Sequence, residues 1–213
     1  LHAVNWQYIF DTYYNIGDQS AGGFLPPVIW GRNPALAYPE YNPTLAQALL
    51  VSAGITGFDT TISYRPVYRA YLPDPASTAG AIAQYLDDIN INATVTSYDS
   101  STFLGKLYAG ELDLFLLGWG ADYLHPDNFY QYHLCNPGNL SFGLIDDTLC
   151  ASLQAALAEP DFATQVLAYQ SLASDIAADM PFVPMAYPRG GLLIRSEAEG
   201  FVASAMGLDE YRT

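Results

Sequence analysis

The sequence predicts an α/β fold, a mostly parallel sheet flanked by helices, in a single domain spanning residues 1–213. Three observations carry that expectation. Through the middle of the chain, β-rich segments alternate with helical ones in the order strand, helix, strand, helix, strand, which is the signature of a parallel sheet with crossover helices. No internal repeat, low-complexity tract or interdomain linker divides the chain. With 213 residues, 51% of them apolar and 14% charged, it has the length and composition to bury one sizeable core.

Val4, Trp6, Ile9, Phe10, Tyr13 and Ile16 recur at helical spacing, with Gly17 placed as a C-cap. "GGFLPPVIWGRNPALAYPEYNP" then reads as a long irregular connection. Asn42 followed by Pro43 is an N-cap with Pro at the first helical position. Leu45, Leu49 and Leu50 give the helix they open one apolar face, and Gly54 ends it. Phe58, Thr60, Ile62 and Tyr64 alternate with Asp59, Thr61 and Ser63, the period of a half-buried strand. A helix is predicted over 77–89, with Ile82, Tyr85, Leu86 and Ile89 on one side, and Asn90 supplies the left-handed residue after it. Residues 91–98 read as strand, 102–108 as helix and 112–118 as strand. Within the last of these, the uncharged run from Leu114 to Leu117 is suited to the middle of a sheet. Asp146 or Asp147 caps a helix through Leu149, Leu153 and Leu157, and a longer helix follows from Asp161, with Phe162, Val166, Tyr169, Ala173 and Ile176 spaced by four and three. "PFVPMAYP" and "GLLIRS" read as a closing pair of strands, the first held to an edge by Pro184.

Composition narrows the function. Twenty-two acids against seven Lys and Arg give a net charge of −15, which argues against nucleic acid and anionic membrane surfaces as partners. Most of these charges fit a solvated surface. No apolar run approaches the ~18–20 residues of a membrane span, so a soluble chain is expected. The chain has no initiator Met and no signal-peptide pattern, and Leu1 leads straight into helical sequence, which suggests a mature or excised segment. Cys135 and Cys150 form no CxxC pair, so a zinc ribbon or thioredoxin motif is out. A disulfide in an oxidising compartment and two unrelated buried thiols both remain open.

Catalytic signatures are absent. There is no GxSxG elbow, no Walker A loop and no dinucleotide fingerprint after Gly118-Trp119-Gly120. Asp122, His125, Asp127 and His133 lack a metal-binding spacing such as HExxH, so His125 reads as a loop residue and Asp127 as a helix cap. Asn92-Ala93-Thr94 and Asn139-Leu140-Ser141 match the glycosylation pattern, which matters only in a eukaryotic secretory setting. What stands out is Gly118 to Tyr123, placed where open α/β sheets bind ligands, beyond a strand's carboxyl end. Its glycines admit a ligand to the backbone, Trp119 and Tyr123 offer flat amphipathic surfaces, and Asp122 offers a charge for a cationic group. From spacing alone, a turn with Asp122 accepting local backbone bonds fits equally well.

"LGWGADYLHPDNF" resembles the "GW.aDY.dP.nF" signature of the family 5 (cluster C) extracellular solute-binding proteins. Four further stretches resemble that family in the right order: "LPPVIWGRNPALAYPEYNPTLAQALLVSAGI", "IAQYLDDINI", "GELDLFLLGW" and "DIAADMPFVPMAYP". The resemblance implies a Venus-flytrap protein of the periplasmic-binding-protein type II fold, in which two lobes close over a ligand. This chain would be the contiguous C-terminal lobe, and an N-terminal portion would form the other. The implied activity is non-catalytic: a monomeric substrate-binding component of a bacterial ABC importer, with no cofactor, capturing peptides outside the cytoplasmic membrane for permease subunits.

In peptide-binding relatives the Asp of "aDY" pairs with the peptide's α-amino group, and Asp122 matches it. Backbone around Gly-Trp-x pairs with the extended peptide like an added strand, and Gly118, Trp119 and Gly120 match those places, with Ala121 and Tyr123 completing the motif. Some oligopeptide binders carry arginines that meet the peptide carboxylate where this chain has Leu107 and Leu116. A carboxylate partner is therefore expected from Arg65, Arg69 or the other lobe. Two rivals are an oligosaccharide binder on the same scaffold, suited by 17 tyrosines, and a ligand-sensing domain of a transcriptional regulator. Asp122 favours peptide over sugar, because a sugar has no ammonium to neutralise a carboxylate closed away from water.

Overall fold

The computed structural model describes residues 1–15, 18–135, 147–189 and 195. Its elements run α1 (Trp6–Tyr13), β1 (Gln19–Ser20), α2 (Pro43–Ser52), β2 (Phe58–Tyr64), α3 (Pro75–Asp87), β3 (Ile91–Ser97), α4 (Ser100–Tyr108), β4 (Leu114–Phe115), α5 (Pro126–Leu134), α6 (Asp147–Ala158), α7 (Phe162–Asp179) and β5 (Ala186–Tyr187). Local chemistry sets most helix starts. The side chains of Asn5, Asn42, Asp74, Asp99 and Asp161 each accept an N–H from the first turn that follows, a bond worth about 1 kcal/mol at such positions. Pro43 and Pro75 sit just inside their helices, where no N–H is needed. Asn90 takes the left-handed conformation at φ 64° between α3 and β3.

β2, β3 and β4 form a parallel sheet in the order β3-β2-β4. Pairing of β2 with β3 is continuous from Phe58 opposite Ile91 to Tyr64 opposite Ser97. α3 packs against both of these strands, and α1 lies against α3. Because β2 is central, Ile62 and Ser63 are both buried although they point to opposite faces. The expected alternation therefore holds only in part, and Phe58, at the strand's start, is 47% exposed.

The uncharged run Leu114–Leu117, expected in the middle of the sheet, lies at its edge instead. Only Leu114 and Phe115 pair with β2, opposite Ile62 and Ser63, with one further bond from Leu116 N–H to the Ser63 carbonyl at 2.9 Å. Leu114 is 43% exposed. Asp113 is drawn towards β2, where one carboxylate oxygen accepts from the Thr61 N–H at 3.0 Å and the Thr61 hydroxyl at 2.9 Å.

Two main cores result. One joins Val4, Trp6 and Ile9 to Ile62 and Leu116 of the sheet and to Leu72, Ala79 and Ile82. The other is helical, built from α5, α6 and α7 with Leu25 and Ile29 of the long connection. Several expected faces shift by a residue or two. In α2 the buried residue is Ala46, while Leu45 and Leu49 are exposed. Phe162, in the apolar series of α7, is exposed with its ring tilted 5.1 Å from that of Trp30, whereas Leu172 is buried. β5 follows Pro184 and pairs antiparallel with β1, a two-residue strand with no sequence signal. Ile16, Gly17, Asn139-Leu140-Ser141, Asp146 and most of "GLLIRS" lie outside the described residues.

Candidate ligand site at the carboxyl end of the sheet

β2 and β4 are parallel neighbours, so the chain leaves both at the same edge of the sheet. Continuing the register of Ser63 opposite Phe115 places Arg65 opposite Leu117. Around them opens a cavity of about 180 Å³ whose lining includes Arg65, Leu117, Gly118 and Trp119, with Leu107 of α4 and Tyr132 of α5.

Gly118 to Tyr123 is held by one side chain that sequence reasoning missed. Asn128, in the first turn of α5 and buried, accepts the Trp119 indole N–H at 3.1 Å and the Asp122 backbone N–H at 3.2 Å on the same oxygen. Its amide nitrogen donates to the Asp122 carboxylate at 3.4 Å. A buried amide is well satisfied by three such bonds. The available signal was its place in the "LHPDNF" stretch, just after a Pro-initiated helix start. The Trp119 ring stacks on Tyr132 at 4.9 Å and meets His133 edge-on at 5.0 Å. Burial pushes the His133 imidazole down to about 4, so it is neutral near pH 7. Asp122 and Gly120 are exposed, Ala121 is half-buried, and the exposed Tyr123 donates its hydroxyl to Asp127 at 3.1 Å.

Arg65 is fixed on the other wall. Its guanidinium donates to the Tyr71 hydroxyl at 3.3 Å and lies 5.6 Å over the Phe103 ring. Tyr71 in turn explains Gly118, because a Cβ there would come within 2.3 Å of the Tyr71 ring. At Gly120 nothing lies within 4 Å of the corresponding position. Gly118→Ala is therefore expected to destabilise by ~1–3 kcal/mol through overpacking, whereas Gly120→Ala should stay within ~0.5 kcal/mol of wild type. Urea unfolding of the two variants checks this, and equal midpoints would mean that Tyr71 yields freely.

Of the two candidate arginines, Arg65 joins Gly118 and Trp119 at the cavity. Arg69 does not line it; it is exposed and donates to the Tyr68 carbonyl at 3.2 Å. His125, expected in a loop, is the N-cap of α5: its ring accepts the Asp127 N–H at 3.3 Å, and it also contacts the Asp127 carboxylate. Asp127, expected to be the cap, sits in the helix's first turn, because Pro126 takes the first helical position and the start lies two residues earlier. Among the described residues, no three His, Cys, Asp or Glu side chains converge to hold a metal. Cys135 and Cys150 are joined in a disulfide between the end of α5 and the first turn of α6.

A sequence model of the bacterial extracellular solute-binding proteins, family 5 middle, matches residues 1–141. The chain belongs to that family. Heme-binding protein A of Haemophilus influenzae is 28% identical over 214 residues, covering 99% of this chain and 39% of its own length. The dipeptide-binding protein of Escherichia coli is 32% identical over 130 residues, or 61% of this chain and 24% of that protein. A dipeptide binding protein from Pseudoalteromonas, solved in complex with Met-Leu, superposes with a TM-score of 0.83 at 30% identity, covering 88% of this chain and 38% of that one. The fold is thus that of a portion of these family 5 proteins, whose architecture is the periplasmic-binding-protein type II fold, and the chain spans well under half of their length.

Proposed function

We propose that this chain is the ligand-gripping lobe of an extracytoplasmic peptide-binding protein that serves an ABC importer. The observation that carries the reading is the exposed Asp122 carboxylate, tethered by Asn128 beside the Trp119 ring at the open end of the sheet. An ammonium group arriving there would find a directed anion and exposed backbone at Gly120. The relatives named for dipeptides, one of them solved with Met-Leu, support the ligand class. The net charge of −15 suits cationic rather than anionic ligand ends. Completion of the cleft by a second lobe, delivery to permease subunits, a monomeric state and the lack of catalytic activity belong to the same proposal. Among the described residues no helix is long and apolar enough to cross a membrane.

A charge-assisted bond in a closed cleft contributes ~1.5–3 kcal/mol, so Asp122→Asn in the full-length protein should weaken peptide binding by ~10- to 100-fold. Acetylating the peptide's amino group should cost wild type a similar factor and cost the variant little more. Calorimetric titration measures all four combinations. Simple additivity would disprove the direct pair. Indifference to both changes would put an oligosaccharide ahead.

A further inference from the structure

The start of α5 sets one ring nitrogen between two incompatible partners. Nδ1 of His125 accepts the Asp127 N–H at 3.3 Å and also lies in hydrogen-bond contact with an Asp127 carboxylate oxygen. Accepting the N–H needs a bare lone pair, whereas bonding the carboxylate needs a proton on the same atom. With Nδ1 bare, His125 caps the helix; with Nδ1 protonated, it pairs with Asp127 and the cap is given up. Imidazole is the side chain whose charge changes between pH 5 and 8. This one is 32% exposed, so protons reach it from solvent.

The groups around the ring are Asp127 of its own helix, Trp30 of the long connection at 4.7 Å and Tyr169 of α7 at 6.0 Å. Burial, Asp127 and Tyr123 push the Tyr169 phenol up, so of these only Asp127 carries a charge near neutral pH. Asp127 is in turn tied to the ligand site. Its second carboxylate oxygen accepts the Tyr123 hydroxyl at 3.1 Å. The next residue, Asn128, holds the Asp122 carboxylate at 3.4 Å. Burial, the bond to Asp127 and the charges of Asp127 and Asp122 push the Tyr123 phenol up, so both carboxylates act on that hydroxyl. A proton taken up by His125 therefore leaves one net negative charge where Asp122 and Asp127 supplied two.

We propose that His125 is a proton-operated attenuator of the Asp122 site: on protonation it pairs with Asp127 and weakens the hold on a ligand's ammonium group. The proposal rests on the amine-binding reading above. Linkage makes the coupling reciprocal. Acid favours release, and an ammonium arriving at Asp122 drives the proton off His125. The other two histidines have no such link: burial pushes the His133 imidazole down to about 4, and His2 bonds the Glu40 carbonyl ahead of α2.

The test compares full-length wild type with His125→Asn, since Asn caps a helix but does not titrate. Calorimetric titration with Met-Leu and N-acetyl-Met-Leu is made at pH 7.5, 6.5 and 5.5. Between the extremes, wild type should lose ~3- to 10-fold more affinity for Met-Leu than the variant, the size expected of one screened charge at a protein surface. The peptide's own amine works the other way, gaining its proton as pH falls, so the difference between the two proteins carries the test. At pH 6.5, two buffers of different ionisation enthalpy should show wild type releasing more protons on binding than the variant. A cap with a purely structural role moves neither readout. Without ligand, an NMR titration of the His125 ring, assigned by its loss in His125→Asn, should shift down by ~0.5–1 pH unit in Asp122→Asn. A midpoint unmoved by Asp122→Asn, or equal pH dependence in the two proteins, overturns the attenuator; loss of affinity on acetylation at pH 7.5 then leaves the amine anchor standing. A shifted midpoint with no binding of Met-Leu supports the coupling and overturns the peptide reading.

Discussion

Phe103→Ala is expected to lower stability by about 3–5 kcal/mol, the range for truncating a buried aromatic. Phe103 is 0% exposed. It stands on α4 edge-on to Phe115 of β4, with ring centroids 6.4 Å apart, and it underlies the Arg65 guanidinium. Two losses combine. The deleted ring leaves a void next to a cavity that already exists, so neighbours have little to collapse onto. Arg65 also loses a cation–π contact worth roughly 0.5–1 kcal/mol. At ~2–4 °C per kcal/mol for a chain of this size, the melting temperature should fall by ~6–20 °C. Phe103→Leu keeps the apolar fill but not the π face, and should cost less than about 1.5 kcal/mol. A thermal shift under 2 °C for the Ala variant would show that this wall is not packed as described.

The second large effect is expected from the disulfide. Cys135 and Cys150 close a loop of about 15 residues, for which chain-entropy arguments give ~3 kcal/mol. The bridge pins the end of α5 to the start of α6, and Leu134, Leu149 and Leu153 beside it belong to one core. Cys135→Ala with Cys150→Ala should therefore lower the melting temperature by ~6–12 °C. Reductant should do the same to wild type and nothing to the double variant. Since α5 also carries Asn128, fraying from its far end should reach Trp119 before the sheet melts. An unfolding midpoint unmoved by reductant, after two thiols have been counted in the reduced protein, would contradict this account.

Much of the fold was legible because it rests on local chemistry. Asn42-Pro43 and the run from Phe58 to Tyr64 each carry their structure in a few adjacent residues. Asp161 and Asn90 did so too, through a side-chain cap and a tolerated left-handed turn. What failed depended on partners distant in sequence. Leu114–Leu117 has the composition of a central strand, but strand order is decided by pairing, and composition does not report it. β1 was invisible because two residues have no period. At the site, Gly118 to Tyr123 was conspicuous by residue type. Asn128 was not, since a lone Asn near a helix start reads as an ordinary polar residue until its three bonds are seen. Tyr71 and Phe103 were likewise silent: their roles arise from the contacts they make with Arg65.

The single amide at Asn128 has a kinetic consequence. A binding surface that must first freeze its own rotamers gives up ~0.5–1.5 kcal/mol for each such side chain, and the rearrangement slows capture. Here the indole of Trp119 and the carboxylate of Asp122 are held before any ligand arrives, by a group shielded from water on the helix beneath them. This surface is preorganised. On the proposed two-lobed reading, encounter with it would run at the pace of diffusion and orientation, and the slow coordinate of capture would lie in closure of the second lobe.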